Sequence, residues 1–494
     1  MLEHSLSREG QASICRVYRD RINNCTHHKR TYKWNPVEVE SPTHKMVLRF
    51  IISIFFLSLS NANSIVKNLP GFNGDLPFTL ETGYVGLGAD NEIQLFYYFV
   101  ESERDPLKDP LLFYLTGGPG TSGLYPLLYQ IGPLSINYDN STMEKLTLEL
   151  NPNSWAKTAN ILFIDLPVGT GFSYATTYEA SKSSDTISAQ QSYKFLVKWL
   201  EEHPKFLNNP LYISGISYMG LLVPVVTLEV YKGNERGDQP QLNIKGYVII
   251  SPFTHKFNDF NSRLEFAHRL ALISDDIYES AKSTCNGNYV NIDSENALCS
   301  NSLQQMNECT NRINAGNILD PYCDNEYTDP SCRKVGTTSL AYFGNDKEVR
   351  KALHVREGTV EKFEKTNDTI HYILNKNDTE CYSYDIFTSF VYHKILVSKS
   401  CEVLILSGDH DFTFPYVGQE QWIRSLNLPI ESLWNPWFVD KQVAGYRTKF
   451  VKNGYSLTHV TVKGAGHSIP LFKPKEAWVI FDSWLASHSY VSDS

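Results

Sequence analysis

Two residues that lie far apart in the sequence have the types and surroundings of a nucleophile and its base. Ser217 lies in the motif Gly-Ile-Ser-Tyr-Met-Gly, between an apolar run that predicts a strand and a segment that predicts a helix over 219–231. Such a turn can hold a serine hydroxyl exposed above a sheet. His467 lies in the small-residue turn Gly-Ala-Gly-His. Because a serine hydroxyl is a poor nucleophile until an imidazole removes its proton, this pair predicts acyl-transfer chemistry.

A carboxylate at the end of a strand between these two residues would complete a catalytic triad. The run Leu-Ile-Leu-Ser-Gly-Asp-His-Asp ends in two candidates, Asp409 and Asp411, and the residues alone leave the choice between them open. We interpret His410, between the two acids, as incidental. The order serine, aspartate, histidine along the chain is that of α/β hydrolases.

An acyl-transfer site also needs backbone N–H groups that stabilise a developing oxyanion. The segment Leu-Thr-Gly-Gly-Pro-Gly follows the first predicted central strand and has the glycines for a close approach to substrate. We predict the N–H groups of Gly118 and Tyr218 as the two donors. Glycine-rich loops can also bind phosphate, but this segment has no Lys-Ser/Thr pair, and Pro119 has no N–H to donate. Phosphate binding is therefore disfavoured.

The elements that would position these residues alternate between strands and helices. Apolar runs followed by glycine or proline predict buried strands, and an apolar stripe that includes Ile187 predicts a helix over residues 185–202. This alternation predicts an α/β fold with a central, mostly parallel sheet that is covered on both faces. The stretch 258–346 interrupts the alternation, and we interpret it as a helical cap inserted into an α/β hydrolase. The predicted strands are 111–116, 161–165, 211–214, 247–251, 403–407 and 460–463, and a closing helix is predicted over 477–487.

The first 62 residues divide into two segments. Residues 46–62 have a basic start, an apolar core and small residues before a cleavage position after Ala62, which is typical of a secretory signal peptide. The apolar core is too short for a stable membrane span. Residues 1–45 are polar and basic without periodicity, and we interpret them as a non-native or disordered extension; the alternative is a genuine basic arm followed by a signal anchor. We expect residues 63–494 to form the folded domain, in the vacuole or outside the cell.

Composition narrows the class of protein further. The 494 residues carry a formal net charge of −9, which disfavours nucleic acid as the main partner. Five of the nine cysteines fall within 285–332, which in a secreted chain predicts a disulfide-stabilised segment. No CxxC or HxxxH spacing accompanies them, so no metal site is predicted. N-x-S/T sequons that predict glycosylation begin at Asn140, Asn367 and Asn377.

These motifs together resemble the serine carboxypeptidase-like family, peptidase family S10, and within it the plant acyltransferase branch. The resemblance covers residues 66–488. It implies an α/β-hydrolase fold, Asp411 as the catalytic acid, and two disulfides, Cys285–Cys299 and Cys323–Cys332. The motifs that carry it include Leu115-Thr-Gly-Gly-Pro-Gly, Ile164-Asp-Leu-Pro-Val-Gly-Thr-Gly-Phe-Ser-Tyr-Ala, Gly215-Ile-Ser-Tyr, Ser407-Gly-Asp-His-Asp and Val462-Lys-Gly-Ala-Gly-His.

The resemblance also implies which residues contact substrate, namely Thr116, Gly117, Gln130 and Ile216. Peptidases of the family bind a free carboxylate with an asparagine in the glycine-rich loop, an acid before the nucleophile, and a second acid. The corresponding residues here are Thr116, Ile216 and Gln130. Each charged hydrogen bond lost to a buried carboxylate costs on the order of 1–3 kcal/mol, so efficient peptide trimming is disfavoured.

The acyltransferase branch takes an acyl group from a 1-O-β-glucose ester and passes it to an alcohol or amine, and it needs no cofactor at that step. The chain departs from this branch at Ile216, where an acid is usual, and at Thr121, where a cysteine is usual. The partner cysteine is replaced near Thr366. We keep two alternatives, a serine carboxypeptidase and a catalytically silent ligand-binding glycoprotein. A monomer and a cleaved heterodimer are both compatible with the sequence.

Overall fold

The computed structural model describes residues 64–142, 144–323, 334–367 and 382–489. The predicted extension and signal peptide, Cys332 and Asn377 lie outside the described residues, so the predictions made for them are not tested. The described residues from Ile65 onward form one compact unit. None of the helices within the described ranges has the length and apolar content that crossing a membrane requires.

Most strands of the described residues belong to one large mixed sheet. Its hydrogen-bonded order includes β2-β3-β7-β4-β9-β10-β11-β14-β13-β12, with β8 beside β3, and β5 and β6 form a separate pair. The strands are β1 (Ser64–Ile65), β2 (Leu80–Leu87), β3 (Ile93–Val100), β4 (Leu111–Leu115), β5 (Leu134–Ile136), β6 (Leu148–Leu150), β7 (Asn160–Ile164), β8 (Tyr174–Ala175), β9 (Leu211–Ile216), β10 (Ile244–Ile250), β11 (Glu402–Gly408), β12 (Ile430–Val439), β13 (Gln442–Lys452) and β14 (Tyr455–Val462).

The centre of this sheet is parallel, as predicted. Strands β7, β4, β9, β10, β11 and β14 are all paired in parallel. Their carboxyl ends therefore meet at one edge, where loop residues from several strands can form a site. All six predicted strands are present, but β14 begins five residues earlier than predicted. Its first half is partly polar, and it is held by pairing with both β11 and β13.

Strands at the two sides of the sheet were not predicted. On one side β2 pairs antiparallel with β3, and β3 pairs antiparallel with β7. On the other side β12 and β13 continue the sheet antiparallel from β14. Most of β12 is exposed or half-buried, so its sequence has no apolar alternation that would indicate a strand.

Fourteen α-helices are present among the described residues. They are α1 (Leu124–Tyr129), α2 (Tyr178–Ser181), α3 (Asp185–Glu202), α4 (Val223–Arg236), α5 (Lys256–Asn261), α6 (Arg263–Arg269), α7 (Asp275–Thr284), α8 (Ala297–Thr310), α9 (Lys334–Asn345), α10 (Lys347–Ala352), α11 (Phe390–Leu396), α12 (Tyr416–Ser425), α13 (Ile469–Phe472) and α14 (Pro474–Ser489).

The α3 helix has the predicted boundaries, and the Ser184 hydroxyl accepts a hydrogen bond from the Ile187 N–H at 3.1 Å to cap its first turn. The prediction that Ile187 belongs to the buried stripe is wrong, because its side chain is 37% exposed. The buried face instead runs through Ser188, Ser192, Phe195 and Trp199, whose spacing of three and four residues places them on one side of the helix. Ile187 precedes Ser188 by one residue, so its side chain is turned away from that side of the helix.

The parallel strands are buried on both faces. Ile213 packs into the core cluster that contains Trp199, whereas its neighbour Tyr212 packs into the cluster that contains Trp484. Successive side chains of a strand point to opposite faces, so the two clusters are the two layers of helices on either side of the sheet. This three-layer arrangement leaves the carboxyl edge of the sheet open to loops.

The cap insertion is helical, as predicted, and contains α5 to α9. Cys285 and Cys299 form a disulfide that joins the end of α7 to α8, with a Cα–Cα distance of 4.8 Å. This confirms the first predicted pairing. Cys323 is also disulfide-bonded, but its predicted partner, Cys332, is not among the described residues.

A pair of threonines replaces the expected cysteines. Thr121 and Thr366 form an isolated antiparallel bridge, and their hydroxyl oxygens are 2.8 Å apart. On either side of them, the Ser122 N–H donates to the Lys365 carbonyl and the Asn367 N–H donates to the Gly120 carbonyl, both at 2.9 Å. Hydrogen bonds thus hold the segment 365–367 against the glycine-rich loop. The branch that the sequence resembles usually has paired cysteines at these positions.

The double substitution Thr121→Cys/Thr366→Cys should restore a covalent link at this position. Cα atoms of directly opposed antiparallel residues lie about 4.5–5.5 Å apart, which is within the range of disulfides. We expect the secreted variant to contain no additional free thiols and to be more stable than wild type by roughly 2–4 kcal/mol. Thiol titration and denaturant unfolding would measure both. Two extra titratable thiols in the folded variant would contradict the expectation.

Candidate active site

Ser217 lies at a sharp turn between β9 and helix α4. Its φ angle is +62°, a left-handed conformation that is unfavourable for a residue with a side chain and costs on the order of 1–3 kcal/mol. The Ser217 carbonyl accepts a hydrogen bond from the Phe253 N–H at 2.9 Å, which holds the turn. A Cβ added at Gly220 would lie 2.6 Å from the Phe253 carbonyl oxygen, so only glycine fits there.

The helix after this turn differs from the prediction. A helix was predicted to begin at residue 219, but Ser217–Gly220 is a 3₁₀ turn and α4 begins only at Val223. The tighter 3₁₀ turn is needed to reverse the chain directly after the strand. Pro224 then occupies the first turn of α4, where the missing proline N–H has no intrahelical acceptor to lose.

The structure distinguishes between the two candidate acids. The Nδ1 atom of His467 lies 2.8 Å from Oδ2 of Asp411, and the Asp411 side chain is fully buried. Its other oxygen accepts hydrogen bonds from the N–H groups of Thr413 and Phe414. Asp409 instead contacts His410 and the Gly464 N–H. With Nδ1 directed at Asp411, Nε2 of His467 is the ring nitrogen that can accept a proton.

The topology brings Ser217, Asp411 and His467 to the same edge of the sheet. They follow the carboxyl ends of β9, β11 and β14, which are joined through β10. Phe253, whose N–H binds Ser217, stacks on Phe414, and the Phe414 ring lies 5.5 Å from the His467 ring. No hydrogen bond links Ser217 to His467 within the described ranges. Such bonds are often loose in ligand-free sites and tighten when substrate binds.

The glycine-rich loop packs directly against the serine. A Cβ added at Gly117 would lie 2.6 Å from the Ile216 carbonyl oxygen and 2.8 Å from the Ser217 Cβ. Gly118, with a φ of +132°, has an N–H that makes no hydrogen bond in the part of the chain that the structure describes. This N–H and that of Tyr218, the residue next to the serine, remain the predicted oxyanion donors.

Two buried aspartates that the sequence did not single out bind the glycine-rich loop and Tyr218. Asp165 accepts hydrogen bonds from the Ser122 hydroxyl and the Gly123 N–H, both at 2.7 Å, and so holds the glycine-rich loop. Asp185 accepts one at 2.6 Å from the Tyr218 hydroxyl, and another from the Tyr382 hydroxyl. Burial raises the pKa of each carboxyl to about 6.

These pKa shifts predict that the two carboxyls stabilise the folded protein more in acid than at neutral pH. The folded-state pKa of Asp165 and Asp185 is about 6, against an ordinary value of 3.8. At these two groups the folded state therefore binds more protons between about pH 4 and 6, and their contribution to stability falls as the pH rises through that window, by on the order of 2–3 kcal/mol per group. Burial lowers the pKa of His393 to about 3 and that of His459 to about 4, which has the opposite effect on stability in the same window, so the test is a difference between two proteins. The melting temperature of Asp185→Asn minus that of wild type should rise from pH 4.5 to pH 7.5. A difference that is the same at both pH values would contradict this assignment.

The three residues that correspond to carboxylate-binding positions differ in what they can offer. The Thr116 hydroxyl is buried and has no hydrogen-bond partner among the described residues. Gln130 accepts from the Tyr114 hydroxyl at 3.1 Å and donates to the Ser468 hydroxyl at 2.8 Å, so its amide is engaged at both ends. Ile216, only 4% exposed, packs in the core cluster.

The asparagines of two of the three sequons lie in the described residues. The Asn140 side chain is exposed, and its one hydrogen bond within the described residues is to neighbouring Asn137, so it is accessible. The Asn367 amide donates to the Gly169 carbonyl at 2.9 Å and is half-buried. Glycosylation at either residue remains a prediction.

Comparisons with known proteins place the chain in a family. The model of the serine carboxypeptidase family matches residues 70–487. Serine carboxypeptidase-like 2 of Arabidopsis thaliana is 43% identical over 442 residues, which is 89% of this chain and 96% of the relative. Serine carboxypeptidase-like 12 of the same organism is 41% identical over 448 residues, which is 91% of this chain and 99% of the relative.

A solved structure supports the fold independently. Kex1(delta)p, a prohormone-processing carboxypeptidase from Saccharomyces cerevisiae, superimposes with a TM-score of 0.68 at 19% sequence identity, over 87% of this chain and 96% of that one. This likeness confirms the predicted α/β-hydrolase fold. The match of the family model to most of the sequence, and the identity to plant relatives over nearly their full length, show that this protein belongs to the serine carboxypeptidase family.

Proposed function

We propose that this protein is an acyltransferase that uses Ser217 to move an acyl group from a 1-O-β-glucose ester to an alcohol or amine. In the first half-reaction, Ser217 Oγ attacks the ester carbonyl while Nε2 of His467 accepts its proton. The N–H groups of Gly118 and Tyr218 stabilise the oxyanion. The intermediate then collapses, the bond to glucose breaks, and the proton passes from His467 to the departing glucose oxygen.

The second half-reaction repeats these steps with the acceptor. The acceptor hydroxyl or amine gives its proton to His467 and attacks the acyl carbonyl on Ser217. The bond to Ser217 breaks, the serine recovers the proton, and the product leaves. Asp411 orients the imidazole and stabilises its protonated form throughout. No cofactor is required, because the glucose ester is already activated.

The observation that carries this proposal is the absence of a carboxylate-binding set beside Ser217 in the described part of the chain. A peptidase of this family must bind the free carboxylate of its substrate. Ile216 can neither donate nor accept a hydrogen bond, and the amide of Gln130 is engaged by Tyr114 and Ser468. Of the three side chains at these positions, only the Thr116 hydroxyl has no partner among the described residues, and one hydroxyl replaces little of the hydration of a buried charge.

The Thr116 hydroxyl also supports an uncharged, hydroxyl-bearing substrate. It is a buried donor and acceptor without a partner in the described structure, and such a group lowers the stability of the free enzyme. A glucose hydroxyl can satisfy it without bringing in charge. The sequence of residues 46–62 leads us to propose that the reaction takes place in the vacuole or outside the cell.

The test compares two substrate classes on protein expressed from the full coding sequence in a plant secretory host. An acylglucose with a panel of alcohol and amine acceptors is one class, and an N-blocked dipeptide is the other. We expect transfer from the acylglucose and negligible release of amino acid. Efficient release of amino acid would overturn the proposal in favour of a carboxypeptidase. No turnover of either class would favour a silent ligand-binding glycoprotein.

The variant Ile216→Glu sharpens this comparison. If the missing acid is what excludes peptides, Ile216→Glu should raise the ratio of dipeptide hydrolysis to acyl transfer, and Thr116→Asn in the same chain should raise it further. The matched control is Ile216→Gln, which is close in size to glutamate but cannot share a proton as a carboxylic acid does. An equal ratio in wild type, Ile216→Glu and Ile216→Gln would show that Ile216 does not determine the substrate class.

A further inference from the structure

A loop of the cap insertion lies between the two loops that carry Asp411 and His467. This cap loop comprises residues 314–318 and follows α8, the helix that the Cys285–Cys299 disulfide joins to α7. We infer that the cap loop is a positioning element for the Asp411–His467 pair, so that the cap forms part of the catalytic scaffold. This inference rests on the roles proposed above for these two residues.

On the histidine side, the cap loop binds the backbone of the base itself. The His467 N–H donates a hydrogen bond to the Gly316 carbonyl at 2.6 Å. A Cβ added at the adjacent Gly466 would collide with the Gly316 carbonyl and would lie 2.5 Å from the Asn317 Cβ. The two loops are therefore packed backbone to backbone, and a glycine at 466 is what permits this approach.

On the acid side, the cap loop binds the residues on both sides of Asp411. The Phe412 N–H and the Thr413 hydroxyl both donate to the Ala315 carbonyl, at 3.0 and 3.1 Å. The Ile318 N–H donates to the His410 carbonyl at 3.1 Å. Asp411 is thus held in a short stretch of backbone that the cap loop contacts before and after it.

Among the described residues, backbone hydrogen bonds between the two catalytic loops end before Asp411 and His467. The Asp409 N–H donates to the Val462 carbonyl, the His410 N–H donates to the Ala465 carbonyl, and Asp409 accepts from the Gly464 N–H. These bonds continue the β11–β14 pairing by two residues. Beyond them the backbones are joined through the cap loop, while Asp411 and His467 themselves meet through one side-chain contact. The cap loop therefore sets the distance across which that contact forms.

One side chain shapes the cap loop from within. Oδ1 of Asn314 accepts hydrogen bonds from the Gly316 N–H at 3.0 Å and the Asn317 N–H at 3.4 Å. Asn317 is buried, and its own Oδ1 accepts from the Leu319 N–H. The Gly316 N–H and the Ala315 carbonyl belong to one peptide unit, so the Asn314 side chain orients the carbonyl that binds Phe412 and Thr413. The Asn314 side chain and its backbone carbonyl, which accepts from the Asn317 N–H at 3.1 Å, together orient the Gly316 carbonyl that binds His467. Asn314 acts through the cap loop and has no contact with Ser217 within the described residues.

The experiment compares Asn314→Ala with Asn314→Asp in the full-length secreted protein. Aspartate keeps the Oδ1 acceptor and alanine removes it. The readout is the rate at which a fluorophosphonate probe labels Ser217, which requires an active base but no acyl donor. A misplacement of a catalytic group by about 1 Å can cost about 100-fold. We therefore expect alanine to slow labelling by about 10- to 100-fold, and aspartate to restore most of the rate.

The acylglucose kinetics separate positioning from general destabilisation. The loss in Asn314→Ala should fall on kcat, with KM close to wild type. Thr413→Val, which removes only the hydroxyl bond to Ala315, should give a smaller loss of the same kind and serves if Asn314→Ala does not fold. Wild-type labelling rates in folded Asn314→Ala and Thr413→Val would overturn the inference. Wild-type protein that is labelled at Ser217 but transfers nothing from acylglucose would overturn the proposed function alone.

Discussion

Replacing Ser217 with alanine is expected to reduce kcat for acyl transfer by about 10³- to 10⁶-fold. The serine hydroxyl is the atom on which the acyl group is carried, and its loss leaves only binding and the oxyanion hole to act on the ester. Folding should be retained, because alanine removes one oxygen from a side chain that is only partly buried. Steady-state rates with an acylglucose and an alcohol acceptor would measure the loss.

Ser214 supplies a matched control on the same strand. Its side chain is fully buried, and its hydroxyl has no hydrogen-bond partner within the described ranges. Because a buried hydroxyl without a partner lowers stability, Ser214→Ala should keep full activity and have an equal or higher melting temperature. Triads that lose their nucleophile retain far less than a hundredth of their activity. A Ser217→Ala enzyme with more than about a hundredth of wild-type activity would therefore contradict the role of Ser217.

Replacing Gly117 with alanine is expected to produce the second largest loss. The added methyl group would lie 2.6 Å from the Ile216 carbonyl oxygen and 3.4 Å from the Ser217 hydroxyl oxygen. The carbonyl belongs to the last residue of the central strand β9, which is paired with β10, so we expect the glycine-rich loop to move away from the serine. The Gly118 N–H would move with it. Removing one oxyanion donor costs about 10²- to 10³-fold in kcat, and we expect a loss of that size.

The Gly117→Ala loss should be confined to catalysis. The loop stays anchored at its far end by Asp165 and by the Thr121–Thr366 pair, so the melting temperature should change little. The control is an unreactive glucose ether, whose affinity measured by calorimetry should be similar for wild type and variant. A variant that keeps wild-type kcat would show that the glycine-rich loop does not supply an oxyanion donor.

The local parts of the site were predictable because each is encoded in a short stretch of chain. The strand, turn and helix around Ser217 are visible as an apolar run, small residues and an amphipathic segment. Helix α3 was placed at Asp185–Glu202 with its full length, since its capping serine and its apolar spacing agree. The contact between Thr121 and Thr366 could also be inferred. Relatives of the acyltransferase branch usually have cysteines at these two positions, and two cysteines that form a disulfide must be in contact.

The rest of the site depends on contacts that no local pattern encodes. The choice of Asp411 over Asp409 needed a family resemblance, whereas in the structure it follows from burial and a 2.8 Å contact with His467. Asp165 lies in the motif that begins at Ile164. An acid at the end of a predicted buried strand was a signal that could have identified it. Asp185 and residues 314–318 reach the site from elements remote in sequence, so only the folded chain places them there.

Intact-protein mass spectrometry after brief incubation with a 1-O-acylglucose and no acceptor detects an acyl-enzyme directly. We expect the mass to increase by one acyl group, and peptide mapping to locate that group on Ser217. The added mass should be absent from Ser217→Ala, and it should be lost when an alcohol acceptor is added, with one ester formed per acyl group released. An unmodified Ser217, in an enzyme that nevertheless turns over the ester, would contradict an acyl-enzyme on Ser217.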